Sequence, residues 1–386
     1  MDILIIGGTG VLSSAVTIEA IKQGINVTMV NRGNRMNRIP RGVKLIKADK
    51  YDYATIAEGI EDKKFDAVMD YLCYSIPDIE KSFSFYSKYT SQYFFISSCA
   101  VYDTRRGGIC KEDSPKVLPV WDYSVGKWQS EKHLMKLAKE TNTKVTIVRP
   151  SVTYDDTRIP YGISPLYGCH WTLAARILAG KPIITWNQGQ NRCNMTRVED
   201  FAVGVVGLIG NPKAYGEAFN LCGDETPSFN DVLNIVGEYL GKKVRKIDII
   251  PEFYASELPM RKGEILGGRS IDAVNSNEKL CDAVPDFKMT ILIKDGIIKT
   301  LDAYKKQNYQ RGIDWSFDGD TDRIIKKWCR KKGIDDSNFN LKFIDYLNNA
   351  SSADKRIYLK ARYVNKLYYQ IRKRLSYIKR NIFNRT

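Results

Sequence analysis

An α/β fold on a doubly wound parallel sheet is the prediction for this 386-residue chain. Three features of the first 150 residues support it. Short β-branched runs alternate with helix-like amphipathic stretches, the first run ends in Gly7-Gly8, and no stretch repeats internally. Strands are predicted at 2–6, 26–30, 43–46, 65–70, 92–97 and 144–148, with helices at 11–23, 76–89 and 124–139 between them. Alternation at these lengths means βαβ units, and such sheets place ligands at the carboxyl ends of their strands. After Arg149-Pro150 the rhythm loosens. Residues 155–167, rich in Pro, Gly and Tyr, read as a loop feeding a helix at 171–179. A strand at 218–221 and a helix at 230–240 follow. The expected division is a sheet domain over 1–155, completed by about 195–225, then a small substrate-binding lobe over 156–314. A helical basic extension, 315–386, ends the chain.

Composition narrows the function classes. At 43% hydrophobic and 27% charged residues, the chain belongs with globular proteins. No run approaches the ~18 apolar residues of a membrane span, and the first apolar run is too short for a secretory signal. Cys73, Cys99, Cys110, Cys169, Cys193, Cys222, Cys281 and Cys329 are scattered without a CxxC pair, beside only two histidines. That argues against a metal site and a disulfide framework, so the expectation is a cytoplasmic protein with free thiols. The net charge of +16 is concentrated at one end: residues 351–386 hold 11 Lys/Arg and one acid, Asp354. The charge describes that tail rather than the body.

The run Ile3 to Ile6, then Gly7-Gly8-Thr9-Gly10-Val11-Leu12-Ser13, is a buried strand entering a glycine turn and a helix. Gly7 permits the tight turn, and Gly10 lets the backbone approach a pyrophosphate at the helix N-terminus, where free N–H groups favour anions. The spacing is GxxGxxS, with Ser13 small enough to keep the helix on the strand. Placed after the first strand of a βαβ chain, the motif predicts a Rossmann-type dinucleotide site, with Gly7, Thr9, Gly10, Val11 and Leu12 as contacts. The second strand ends in Asn31-Arg32-Gly33, not in the Asp or Glu that takes a ribose 2′-hydroxyl. A neutral Asn followed by Arg suits a 2′-phosphate, so NADP is favoured over NAD. Asp49 is placed to accept from the adenine amino group, or else is a surface carboxylate. Tyr71, after the fourth strand, completes the expected cofactor contacts.

Tyr123-Ser124-Val125-Gly126-Lys127 puts a phenol and an ammonium on one helix face. A cation there depresses the tyrosine pKa and lets the phenol act as acid or base. Lys127 is also expected to bond the nicotinamide ribose. The pair opens the helix after the fifth strand, which ends in Ser97-Ser98-Cys99-Ala100-Val101-Tyr102, and a serine there can hold the oxygen that the tyrosine deprotonates.

With these motifs in place the chain resembles the extended short-chain dehydrogenase/reductase superfamily, in particular the NAD-dependent epimerase/dehydratase family. The resemblance spans about 1–305 and adds Val148-Arg149-Pro150, Arg197-Val198-Glu199-Asp200-Phe201-Ala202 and Ala218-Phe219-Asn220-Leu221. It implies that Ser98, four residues before Tyr102, is the catalytic serine beside Tyr123 and Lys127. It also implies a homodimer and a nucleotide-sugar substrate. Family dehydratases carry Asp-Glu after that serine, whereas this chain has Cys99-Ala100, so 4-epimerisation or ketone reduction is expected instead. Cys99 reads as a buried structural thiol, with acid–base work as the alternative. Val152 stands where nucleotide-sugar members carry a diphosphate-binding Asn. Arg192, one residue out of register, and Arg269 are the candidate substrate arginines. A redox enzyme on a non-nucleotide carbonyl, and a cofactor-binding scaffold without catalysis, are the alternatives. His133 and His170 read as incidental.

In the extension, helices are expected at 320–330 and 340–347, then a basic helix from 351. Its stripe is Val364, Leu367, Ile371, Leu375, Ile378 and Ile382, with Tyr358, Tyr363, Tyr368, Tyr369 and Tyr377 interleaved. Such a helix suits an anionic membrane surface, which would make the protein peripheral to the inner face. Docking on the protein's own body or a second subunit is the alternative. Nucleic acid is not expected, because no reading module accompanies the helix.

Overall fold

A computed structural model describes residues 1–117, 120–306, 312–341 and 371. The helices expected at 340–347 and from 351, with the membrane-facing stripe, therefore lie outside the described residues apart from positions 340, 341 and 371. The chain forms two compact units. Met1–Asp155, Gly189–Val232 and Pro251–Gly296 make the first, and Asp156–Gln188, Leu233–Ile250 and the chain from Ile297 make the second. The stretch 156–314 is thus shared between the two.

In chain order the elements begin with β1 (Asp2–Ile6), α1 (Val11–Lys22), β2 (Asn26–Asn31), β3 (Lys44–Lys47), α2 (Tyr53–Ile60) and β4 (Ala67–Asp70). Next come α3 (Ile76–Tyr86), β5 (Gln92–Ile96), α4 (Asp122–Ala138), β6 (Lys144–Pro150) and β7 (Val152–Tyr154). Then follow α5 (Trp171–Leu178), β8 (Ile183–Thr185), β9 (Met195–Arg197), α6 (Val198–Gly207) and β10 (Glu217–Leu221). The last are α7 (Phe229–Leu240), β11 (Lys246–Asp248), α8 (Pro251–Glu257), the one-turn α9 (Lys262–Glu264), α10 (Glu278–Ala283), α11 (Ile293–Lys306) and α12 (Trp315–Lys332).

The first unit is built on a seven-stranded sheet in the order β10-β6-β5-β4-β1-β2-β3, and every pairing is parallel. Alternate residues of each strand enter different cores, as the period of two requires. Ile3 and Ile5 pack with α1 and α6 through Val16, Ala20, Phe201 and Val205. Leu4 and Ile6 pack with α2, α3 and α4 through Ile56, Phe83 and Leu134. With both faces covered, the strands read as continuous apolar runs. Local signals set the helix starts. Asp52 accepts from the Thr55 N–H at 3.3 Å, and Ser75 accepts from the Asp78 N–H at 3.3 Å ahead of Pro77.

The second unit pairs β8 with β11 in parallel and holds α5 against α12 through a buried cluster of four charges. Arg176 donates to Asp318 at 2.6 Å and to Asp322 at 2.8 Å. Lys181 donates to the same two carboxylates at 2.8 and 2.6 Å. Two cations face two acids, so the cluster is neutral, and the neighbouring cations hold Asp318 below the ordinary carboxylate value against the opposing effect of burial. Among the described residues no helix is long and apolar enough to cross a membrane. Asp318→Asn removes one acid and leaves a buried excess of positive charge. We expect it to lower stability by about 3–5 kcal/mol, read as a lower midpoint in urea unfolding; an unchanged midpoint would show that the cluster does not hold α12.

Candidate active site

The glycine turn between β1 and α1 closes on itself. Gly7 sits at φ +82°, and a Cβ there would stand 2.6 Å from Leu72 Cγ. Ser13 Oγ donates to the Gly7 carbonyl at 2.8 Å and accepts from the Gly10 N–H at 2.9 Å. The hydroxyl therefore replaces the usual third glycine with two hydrogen bonds, and Ser13 is buried. Asn31, at the end of β2, donates to Thr9 Oγ1 at 2.9 Å and accepts from the Gly33 N–H at 3.0 Å. Its amide holds the turn in place. Arg32 beside it is exposed, and the Lys47 stem lies alongside Gly33, 2.9 Å from where a Cβ would be. Asp49 is exposed and accepts from the Tyr51 N–H at 3.2 Å. The Tyr71 phenol oxygen is buried without a protein partner. A positive-φ cradle at a helix N-terminus and an orphaned phenol beside it fit a bound dinucleotide.

At the carboxyl end of β5 the two serines diverge. Ser97 Oγ bonds the buried Glu131 of α4. Ser98 accepts from the Ala100 N–H at 3.2 Å and is near enough to the Tyr123 phenol to favour its ionised form. Ser124, the next residue along, donates to the Ala100 carbonyl and so ties the start of α4 to this turn. Tyr123 is 44% exposed, yet its phenol end is desolvated, and that raises its pKa; Ser98 and the Arg269 charge oppose the rise. Lys127 is 6% exposed and donates to the Ile96 carbonyl at 2.7 Å and the Cys73 carbonyl at 3.3 Å. Burial lowers it to about 8. The leading groups that lower the phenol are thus Ser98 and Arg269. Tyr74, 64% exposed, lies 5.4 Å from the Lys127 ammonium at its ring centroid, an aromatic wall that the motif did not announce.

Glu131 also accepts from Arg149 Nε at 3.0 Å and Nη2 at 2.6 Å. Arg149 Nη1 donates to the Tyr102 hydroxyl at 2.7 Å, which donates on to Asn220 of β10 at 2.6 Å. Cys99 Sγ donates to the Arg149 carbonyl at 3.1 Å, and burial pushes its pKa well above the ordinary thiol value. It is held as a thiol, in line with the structural reading.

The two candidate arginines are placed differently. Arg192 donates to the Thr226 carbonyl at 2.9 Å and to its hydroxyl at 3.2 Å. Arg269 ends a wide turn, Ile265–Arg269, that follows α9. This segment approaches Trp121 closely because Gly263 and Gly268 lack side chains: a Cβ at either would stand 2.8 or 2.6 Å from the indole. Trp121 in turn lies 5.1 Å from the Tyr123 ring, so the segment brings Arg269 to the tyrosine. His133 pairs with Glu80 at 2.9 Å, and His170 is buried with Nδ1 3.2 Å from the Ile159 carbonyl. Among the described residues no cluster could hold a metal ion.

The depressed Lys127 pKa makes a stability prediction. Between about 8 and 10.5 the unfolded chain binds the lysine proton more tightly than the folded one, so the penalty of the buried ammonium fades as pH rises through that window. The stability of the native protein relative to Lys127→Met should therefore rise by about 3 kcal/mol from pH 7 to pH 10.5. Denaturant unfolding across that range measures it, and a difference that stays flat would mean that the lysine is not desolvated.

Comparison with known proteins identifies the family. The model of the NAD-dependent epimerase/dehydratase family matches residues 3–90 and 83–222. The chloroplast stem-loop binding protein of 41 kDa b from Arabidopsis thaliana is 26% identical over 246 residues, 59% of this chain and 60% of that protein. The match spans less than two thirds of that relative's length. UDP-glucose 4-epimerase of Thermotoga maritima, solved with UDP-glucose, superposes with a TM-score of 0.64 at 17% identity, covering 80% of this chain and all of that one. UDP-glucuronic acid 4-epimerase of Bacillus cereus, solved with NAD, gives 0.62 at 18% identity with the same coverage. At these identities the structural likeness is one of fold. With the family model covering more than half of its length, the chain belongs to the NAD-dependent epimerase/dehydratase family.

Proposed function

We propose that this protein is an NAD(P)-dependent nucleotide-sugar epimerase or reductase with a Ser98–Tyr123–Lys127 centre. The observation that carries the reading is the convergence at the carboxyl end of β5 of Ser98, which acts on the Tyr123 phenol, and Lys127, one turn further along α4 and held on the Ile96 carbonyl at 2.7 Å. When bound, the nicotinamide dinucleotide supplies the acceptor and donor of two electrons at a substrate carbon. Tyr123 takes the hydroxyl proton as that carbon is oxidised and returns it when the carbonyl is reduced. Ser98 holds the same oxygen. Lys127, fixed by the Ile96 and Cys73 carbonyls, presents its ammonium to the ribose. The elimination chemistry of dehydratases lacks its carboxylates here, since Cys99 is a buried thiol. The two solved epimerases named above support a UDP-sugar as the first substrate to try. Tethering of Arg192 to Thr226 and Val152 at the diphosphate position favour a second reading, a reductase of a non-nucleotide carbonyl.

Turnover on UDP-, dTDP-, GDP- and CDP-sugars with NAD or NADP, followed by proton NMR of the anomeric region, separates these readings. A new anomeric signal without net cofactor reduction marks an epimerase, and silence across the panel with cofactor bound favours the second reading. Tyr123→Phe should lower kcat by about 10²–10⁴-fold while cofactor affinity, followed by fluorescence, stays within about twofold; full activity in this variant would remove the tyrosine from the mechanism. For the cofactor, Asn31 is occupied by the turn and Arg32 offers an exposed guanidinium. Arg32→Ala should weaken NADPH binding by about tenfold and leave NADH unchanged; equal affinity for both cofactors before and after would place the 2′-position elsewhere.

A further inference from the structure

A groove of about 550 Å³ opens in the first unit beside the second half of α4, and none of the residues assigned above to catalysis or cofactor lines it. Its floor is apolar, with Ile147 of β6 and Ala218 of β10, and α4 adds Trp128 and Met135. Around this floor stand the ammonium groups of Lys116, Lys132, Lys136 and Lys139.

The charges of the lining do not cancel. Glu131 is neutralised by Arg149 at 2.6 Å, and Glu217 by Lys279 at 2.6 Å. What remains is four lysines against Glu112 and Asp113. Of these two, Glu112 uses its carboxylate to accept from the Asn220 N–H at 2.8 Å. Lys132, Lys136 and Lys139 form no ion pair among the described residues, and their spacing puts them along one side of α4. Lys116 is partly buried, and its ammonium lies 5.6 Å from the Trp128 ring centroid, with the Lys132 ammonium 5.7 Å from the same centroid. Burial and the Arg149 charge both depress the Lys116 pKa, as expected where positive charge is under-compensated.

We propose that this groove is a second binding site, taking a phosphorylated small organic molecule whose apolar part rests on Trp128, Met135 and Ile147 while its phosphate meets Lys116, Lys132 and Lys136. The volume lies in the range of small-molecule pockets, and an apolar floor with a few convergent charges is how such pockets orient a ligand. The chain's own tail is excluded as occupant by its charge, since residues 351–386 carry the same sign as the rim.

Calorimetric titration of the full-length protein with 1-naphthyl phosphate, and separately with inorganic phosphate, tests this. The tail also attracts anions, so the comparison is between two double variants of equal charge change. Lys132→Glu with Lys136→Glu alters the groove. Lys22→Glu with Lys213→Glu alters exposed lysines that do not line it. Naphthyl phosphate should bind the native protein more tightly than phosphate, and the groove pair should weaken it by about tenfold or more while the control pair changes it by less than about twofold. Lys132→Gln with Lys136→Gln should give an intermediate loss and guards against a folding defect. Equal weakening in both charge-reversed pairs, or no preference for the ring-bearing phosphate, would overturn the site.

Discussion

Glu131 lies buried in α4 and accepts hydrogen bonds from Ser97 at the end of β5 and from two nitrogens of Arg149 in β6. A carboxylate taken out of water is tolerated only when paired and fully bonded, so the three elements cannot shift independently. Arg149 passes the constraint through Tyr102 to Asn220 in β10. The distances that matter for chemistry inherit this arrangement. Ser98 follows Ser97 directly, and Lys127 and Tyr123 stand one and two helical turns before Glu131. The ion pair between helix and strand thus sets how the serine faces the phenol, and the Ser124 bond to Ala100 repeats the constraint at the helix start.

The cofactor half of the site follows the same logic with neutral groups. Ser13 and Asn31 bond the glycine turn from opposite sides, leaving the N–H groups at the start of α1 to an anion. Asn31 is occupied in this way, and the charged side chains near the end of β2, Arg32 and Lys47, stand on the rim and not within the turn. On the proposed reading, preference between cofactors would be an exposed electrostatic contact, open to change without disturbing the turn.

Most of the sheet was legible in the amino-acid sequence, for a physical reason. Strands buried on both faces appear as unbroken apolar runs, and the glycine turn marks where the first one ends. Tyr123 and Lys127 were readable because a helix brings i and i+4 together. Glu131 was not, because an acid in a helix looks like a solvated one until its partner is known, and Arg149 lies on a different element. Arg176, Lys181, Asp318 and Asp322 were hidden for the same reason: each resembles a surface residue, and only the fold brings the four into one buried cluster. The 156–314 lobe was drawn as continuous, whereas the second unit is assembled from three separate stretches, and a linear reading has no signal for such returns. That Arg269 comes near Tyr123 was not readable either, since it depends on Gly263 and Gly268 meeting Trp121.

That last contact bears on the chemistry proposed for Tyr123. Desolvation raises the phenol and lowers Lys127 to about 8, so the same burial works against charge on both members of the motif. A lysine near 8 is only partly charged in mildly alkaline solution. A second cation that acts on the phenol is Arg269, delivered by a segment more than a hundred residues downstream. On the proposed mechanism the resting tyrosine is held protonated, ready to donate to an alkoxide. Its readiness to accept a proton then depends on Ser98, Arg269 and whatever positive charge the bound state adds. The proposed acid is named by the motif, while one of the charges acting on it arrives with a segment whose two glycines pack against Trp121.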